Sequence, residues 1–273
     1  MIEPNTIPKY DKQHYAVVDL GSNSFHLLIT HLEQPKTLRI TNKVKQKVRL
    51  AAGLNCDNQL TEEAINRGLA CLKVFAQHLA TIPKQNILIV ATAALRIARN
   101  NHDFIKQANN ILPKNIQLLS GEQEASTIYA GVSFTENSSV TSFNDKTKRL
   151  VIDIGGASTE IVVGEGSIPN KLVSLNIGCV SFICKYFTNG LLNEANFEQC
   201  INAASSEIKK VSQTFKDVGW QSALGSSGTM QAMAEILVYR HKPSIITLDF
   251  LHEIKQTLIE CKTIEQIKIN GLR

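Results

Sequence analysis

No stretch of this chain approaches the ~18 consecutive apolar residues that a membrane-spanning helix needs. The first fourteen residues are polar and lack the apolar core of a secretory signal, so the expected compartment is the cytoplasm. Six cysteines (Cys56, Cys71, Cys179, Cys184, Cys200 and Cys261) form no CxxC pair. That scatter excludes a closely spaced cysteine zinc site and a disulfide scaffold, and Cys71 and Cys200, set among apolar residues at helical spacing, read as small buried thiols. Low-complexity segments are absent, and the net charge of +5 comes without dense basic clusters. Neither a nucleic acid nor a membrane is therefore an expected partner, although a small anionic substrate suits the charge.

What is present is an α/β grammar used twice. The 273 residues are 43% hydrophobic and 19% charged, enough for two domains with sizeable cores. Residues 15–19 (YAVVD) form an apolar run that ends in Gly21-Ser22-Asn23-Ser24, and an apolar run returns over 25–30. Residues 150–153 (LVID) end in Gly155-Gly156-Ala157-Ser158-Thr159 and return over 160–163. Each reads as strand, tight loop, strand. DLGSNSFHLLI from Asp19 and DIGGASTEIVV from Asp153 align without a gap, which marks an internal repeat. The polar stretch 136–148 is the natural boundary, giving domains over 1–137 and 148–273.

Between the hairpins, helices and strands alternate. Thr61 caps a helix with Glu62 and Glu63 in its first turn, and its apolar stripe runs from Ile65 to Leu79. A strand over 86–91, one helix over 93–112, a strand over 116–119 and a helix opening at Gly121 follow. In the second half, strands are expected at 172–176 and 220–224, with helices at 180–187, 194–218 and 230–239.

The chemistry gathers at the small-residue loops. Glycine and serine let backbone N–H groups approach an anion, and hydroxyls add donors. Either loop alone reads as a hairpin turn; the pair, each preceded by aspartate, reads as a two-sided phosphate cradle. Gly225, Ser227 and Gly228 open another strand-to-helix turn. Asp19 and Asp153 at the strand ends suit Mg2+, and Glu160 is placed to reach the same ion as Asp153; the alternative is that the aspartates only accept loop N–H bonds. Glu122 and Glu124 are, by spacing alone, ordinary first-turn glutamates, and Arg96 is unremarkable alone. Lys43, Lys45, Lys47 and Arg49 share one strand face and read equally as a polyanion track or a solvated edge.

Seven stretches, VVDLGSNSFHLLI from Val17, KVRLAAGLN from Lys47, ATAALRIARN from Ala91, SGEQEASTIYAGV from Ser120, VIDIGGASTEIVVGEG from Val151, LNIGCVSF from Leu175 and ALGSSGTMQAMAEI from Ala223, are spread in order over nearly the whole chain. With them the sequence resembles the exopolyphosphatase / guanosine pentaphosphate phosphohydrolase (Ppx/GppA) family. The resemblance implies two ribonuclease-H-like domains of the actin/Hsp70/sugar-kinase type with a central cleft. It implies Mg2+-dependent removal of the terminal phosphate of inorganic polyphosphate, or of pppGpp to give ppGpp. It makes Glu124 the catalytic base, puts metal and phosphate contacts on Asp153, Gly155, Gly156, Ser158, Thr159 and Glu160, and matches Asp19 to Ser24 and Arg96 to family motifs. KVRLAAGLN and Ala157 look closer to the guanosine pentaphosphate branch; a homodimer is left open. Two departures stand out: Gln123 replaces a common glutamate, and the chain stops at Arg273 where family members continue, so the second domain is expected to be incomplete. A non-catalytic alarmone or polyphosphate sensor is the competing reading, and a sugar or acetate kinase ranks behind it.

Overall fold

A computed structural model describes residues 10–33, 37–55, 57–139 and 147–272. Cys56, the first nine residues and part of the polar 136–148 stretch lie outside the described residues. The chain divides into two compact units, residues 1–120 and 121–273.

The first unit opens with β1 (His14–Leu20), β2 (Ser24–Glu33) and β3 (Thr37–Lys47), followed by α1 (Glu62–Leu79) and β4 (Ile87–Ala91). Then come α2 (Ala93–Ile97), α3 (Asn101–Asn109) and β5 (Gln117–Leu118). The sheet order is β3-β2-β1-β4-β5, with β1 antiparallel to β2 and parallel to β4. Period-two alternation is clean in β1, where Ala16, Val18 and Leu20 are buried while Tyr15 and Val17 are exposed. Phe25 of β2 meets Phe104 of α3 edge-on at 6.5 Å between ring centroids. A Cβ on Gly68 of α1 would lie 2.6 Å from the Phe104 ring, so the glycine admits that ring. The expected cap holds: Thr61 Oγ accepts from the Ala64 N–H at 3.3 Å.

The single helix expected over 93–112 is two. Asn100 interrupts it by turning its side-chain amide to Leu60, accepting from the Leu60 N–H at 2.8 Å and donating to its carbonyl at 3.0 Å. The Arg99 N–H meanwhile donates to the Asn58 carbonyl at 2.8 Å, outside any helical ladder.

The second unit begins with α4 (Gly121–Ser139), then β6 (Lys148–Ile154), β7 (Thr159–Glu165), β8 (Ile168–Leu175) and α5 (Cys179–Tyr186). It continues with α6 (Glu194–Val218), β9 (Ser222–Ser226), α7 (Ser227–Tyr239) and α8 (Leu248–Glu260). The order β8-β7-β6-β9 repeats the 3-2-1-4 arrangement of the first sheet. Both faces of β6 are covered. Val151 and Val162 pack with Ala125 and Tyr129 of α4, whereas Leu150 and Val163 pack with Phe215 of α6.

Helix α4 is where the sequence-based boundary and the packing part. Placed in the first domain by chain position, it buries Ala125 and Tyr129 against the second sheet, so the packing division falls at Ser120/Gly121. Helix α8, absent from the expected elements, packs Phe250 and Ile254 against Ile236 and Leu237 of α7. Among the described residues no helix is long and apolar enough to cross a membrane.

Candidate functional site

Each unit carries one hairpin loop and one strand-to-helix turn docked beside it. In the first unit, Asp19 closes β1 and Ser22 and Ser24 are buried in the loop. Ser22 Oγ accepts from the Ala94 N–H of α2 at 3.1 Å, while the Asn23 carbonyl accepts from the Val48 and Arg49 N–H groups. The loop needs glycine for close approach: a Cβ on Gly21 would sit 2.8 Å from the Ser24 carbonyl. Arg96, in the last turn of α2, donates through Nη1 to the Leu119 carbonyl at 3.1 Å, which ties it to the segment after β5.

The second unit repeats the device with more acid. Gly155 approaches Ser158 as Gly21 approaches Ser24; its N–H donates to the Ser158 carbonyl at 2.9 Å. The start of α5 is spent on this loop, because the Cys179, Val180 and Ser181 N–H groups donate to the Gly155 and Gly156 carbonyls. Gly178 must be glycine for this seating, since a Cβ there would lie 2.4 Å from the backbone of Gly156 and Ala157. Beside the loop, the hydroxyls of Ser227 and Thr229 both donate to the Ile154 carbonyl, at 2.7 and 2.8 Å. The Thr159 hydroxyl donates to the Ile177 carbonyl at 2.6 Å. Two hydroxyls expected to face a phosphate, those of Thr159 and Ser227, thus brace the loop in this structure. Gly225 packs against Met230, and Gly228 has open space where a Cβ would be.

Three carboxylates gather in the second unit. Asp153 and Glu160 are register partners across β6 and β7. Glu124 enters from α4, half-buried one residue before the fully buried Ala125, while Glu122 and Gln123 are exposed. Glu160 is only 1% exposed, and Ser174 donates to its Oε1 at 2.7 Å. Burial first, then the charge of Glu124, pushes the Glu160 carboxyl up to about 7, against the pull of hydrogen bonds from Ser158 and Ser174; Asp153 adds a smaller push. Burial also raises Asp153, opposed by Ser226 and Ser227. A donor set of carboxylate and hydroxyl oxygens, with Asp153 and Glu160 both buried, fits a hard divalent cation such as Mg2+.

The expected site residues therefore fall into two groups. Asp19, Gly21, Ser22, Asn23, Ser24 and Arg96 lie in the first unit. Glu124, Asp153, Gly155, Gly156, Ala157, Ser158, Thr159, Glu160, Gly225, Ser227 and Gly228 lie in the second. Sequence reasoning missed Ser174, Ser226 and His26. The ungapped alignment of the two loops contained the signal for His26, which occupies in the first hairpin the place of Glu160, opposite Asp19. Burial first, then Lys45 and Lys43, lowers the His26 pKa and favours a neutral imidazole.

The family model of the Ppx/GppA phosphatase family matches residues 28–273. The chain belongs to that family. Relatives named guanosine-5'-triphosphate,3'-diphosphate pyrophosphatase include those of Pseudoalteromonas translucida, 47% identical over 97% of this chain, and Pseudoalteromonas atlantica, 45% identical over 100%. That of Aeromonas hydrophila is 44% identical over 94% of this chain. The chain spans about half the length of these relatives: 52%, 53% and 50% respectively. Among solved structures, a Cytophaga hutchinsonii exopolyphosphatase superposes with a TM-score of 0.80 at 24% identity, covering 95% of this chain and 84% of its own. An Aquifex aeolicus Ppx/GppA enzyme gives 0.68 at 23%, covering 94% and 86%. These likenesses show that the chain shares the fold of those two proteins.

Proposed function

We propose that this Ppx/GppA family chain is a divalent-metal-dependent phosphohydrolase that removes the terminal phosphate of pppGpp to give ppGpp, acting in the cytoplasm. The observation that carries this reading is the convergence of Glu124, Asp153 and Glu160 on one neighbourhood beside the Gly155–Thr159 loop. The names of the relatives at 44–47% identity support the choice of substrate.

In this reading Glu124 orients a water molecule and accepts its proton as the water oxygen attacks the terminal phosphorus. The bond from that phosphorus to the bridging oxygen breaks, and ppGpp leaves with inorganic phosphate as the other product. Asp153 and Glu160 would hold the cation, and the chemistry of their oxygens suits Mg2+. When bound, the cation offsets the charge of the phosphate oxygens and of the leaving group. Backbone N–H groups of Gly156, Ala157 and Ser158 have the chemistry to contact phosphate oxygens, the Gly155 N–H and the Ser158 hydroxyl being spent on the Ser158 carbonyl and on Glu160. In the first unit, Asp19, Gly21–Ser24 and Arg96 have the chemistry for the same class of contact.

Inorganic polyphosphate is the second substrate, and one feature favours it. Lys43, Lys45 and Lys47 are all exposed on the edge strand β3, where alternation sets them along one face, and Arg49 follows just beyond the strand.

The deciding experiment is phosphate release from pppGpp and from long-chain polyphosphate with Mg2+, comparing wild type with Glu124→Ala. Release from pppGpp with a loss of roughly 100-fold or more in the variant is expected for removal of a general base. A folded wild type that binds either compound and releases no phosphate would overturn the hydrolase and favour a sensor.

A further inference from the structure

The start of β1 carries a group of residues that the phosphate chemistry does not use. His14 and His31 are direct partners across the antiparallel β1–β2 pair, with ring centroids 4.7 Å apart. Asp11 lies in the turn that leads into β1, with Oδ1 2.7 Å from His14 Nδ1. One ligand atom from each of the three lies within 4.8 Å of the others. His31 Nδ1 is enclosed and has no hydrogen-bond partner among the described residues. His14 stands five residues before Asp19 on the same strand, about 17 Å away at the ~3.4 Å rise of an antiparallel strand.

We propose that Asp11, His14 and His31 form a binding site for a zinc-type divalent transition-metal ion. Two imidazoles and one carboxylate are a donor set that zinc accepts with a water in the fourth position. Imidazole nitrogen selects zinc, nickel or copper over magnesium and calcium, which prefer all-oxygen shells. Tetrahedral bonds of ~2.0–2.1 Å place ligand atoms about 3.3 Å apart, so side-chain rotation alone closes the site around the ion. The Asp11 carboxyl is held below its usual range by the Gln13 N–H and then by His14, which keeps it ionised as a ligand must be.

The backbone beneath these side chains is already fixed. The His14 N–H donates to the Asp11 carbonyl at 3.2 Å, and Asn86 Nδ2 donates to the carbonyls of Lys12 and His14, both at 3.0 Å. The Tyr10 ring lies 5.0 Å from that of His14. An ion here would clamp the turn before β1 to the far end of β2. It would stabilise the folded state by mass action.

The test uses the untagged 273-residue chain, stripped with chelator and titrated with Zn2+ in excess Mg2+, which occupies the carboxylate site. Calorimetry on wild type, His14→Gln, His31→Gln and Asp11→Asn reads stoichiometry and affinity; Co2+ absorption reads ligand type. Wild type is expected to take up one more zinc than His31→Gln. Its Co2+ spectrum should be that of nitrogen and oxygen ligands without a thiolate charge-transfer band, and it should disappear in both histidine variants. Changes beyond the direct ligands cost about 10–100-fold in affinity, so loss of an imidazole should cost more than ~100-fold. Asp11→Asn, at an exposed turn and safe for folding, should weaken uptake while retaining the Co2+ signature. Equal zinc uptake by wild type and Asp11→Asn, or a thiolate-dominated Co2+ spectrum, would overturn the site.

Discussion

Asp153 and Glu160 stand directly opposite one another where β6 and β7 meet the glycine loop, so two carboxylates share one buried position of the sheet. Ser174, the partner of Glu160 on the next strand, supplies it with a neutral donor at 2.7 Å. The equivalent pair in the first unit is Asp19 and His26. The repeat has therefore diverged where charge matters, with acid opposite acid in one unit and acid opposite imidazole in the other.

Glu160 makes the metal-free protein sensitive to pH. Its carboxyl moves from 4.5 to about 7 on folding. Below the unfolded value both states are protonated and the residue contributes nothing. Between the two values the unfolded chain ionises while the folded one keeps its proton, so stability falls as pH rises, by about 3 kcal/mol at most. Above the folded value both are ionised and the cost is constant. Glu160→Gln removes the titration, so its melting temperature should gain on that of wild type steadily from pH 5 to pH 7.5. Saturating Mg2+ should narrow the gap. A wild-type-to-variant difference that is flat with pH refutes the assignment.

Arg96 separates charge from geometry. Its guanidinium donates to the Leu119 carbonyl at 3.1 Å, so Arg96→Ala loses a structural bond as well as a cation. Arg96→Lys keeps the cation and loses the planar fork that matches phosphate oxygens. Phosphate release by the lysine variant is expected to fall roughly 10–100-fold with a melting temperature near that of wild type. Unchanged turnover with lowered thermal stability would confine Arg96 to a structural role.

Local patterns carried much of this in the sequence. DLGSNSFH and DIGGASTE both open on an acid, followed two residues later by a glycine and then small residues, and short-range sterics suffice to make each a hairpin. Thr61 with two glutamates behind it is a cap readable within four residues. Longer-range facts were hidden. Asn100 ends a helix because it pairs with Leu60, forty residues earlier, and helix periodicity carries no trace of that. By spacing alone Glu124 is an ordinary first-turn glutamate, and only the family resemblance singled it out; the packing of α4 on the second sheet is what brings its charge to Glu160. The hydroxyls of Thr159 and Ser227 have the chemistry of phosphate donors, yet they donate to the Ile177 and Ile154 carbonyls. Ser174 had no signal, because the β7–β8 register is not written in either strand alone.

Asn100→Ala should cost stability well beyond an average surface change. The side chain satisfies both the N–H and the carbonyl of Leu60, itself 4% exposed, so truncation strands two backbone groups away from water. A loss of about 1–3 kcal/mol in denaturant midpoint analysis is expected. Asn100→Asp, which keeps the acceptor and loses the donor, should fall between. A loss under about 0.5 kcal/mol for alanine would mean that water replaces the amide.

The two loop glycines offer a graded comparison. A Cβ at Gly21 would meet the Ser24 carbonyl at 2.8 Å, and one at Gly155 would meet the Ser158 carbonyl at 3.2 Å. Neither residue has the positive φ that would itself exclude alanine, so the penalty comes from close approach alone. Both obstacles are backbone and cannot rotate aside; the first contact is one that Cβ atoms essentially never make. Gly21→Ala is expected to cost about 1–3 kcal/mol, several degrees in melting temperature, and Gly155→Ala clearly less. Because the carbonyl that must move belongs to the proposed phosphate loop, turnover by Gly21→Ala should drop even at temperatures where the variant is fully folded. Equal melting temperatures for the two variants would show that the first loop relaxes freely, and the tight packing inferred for it would be wrong.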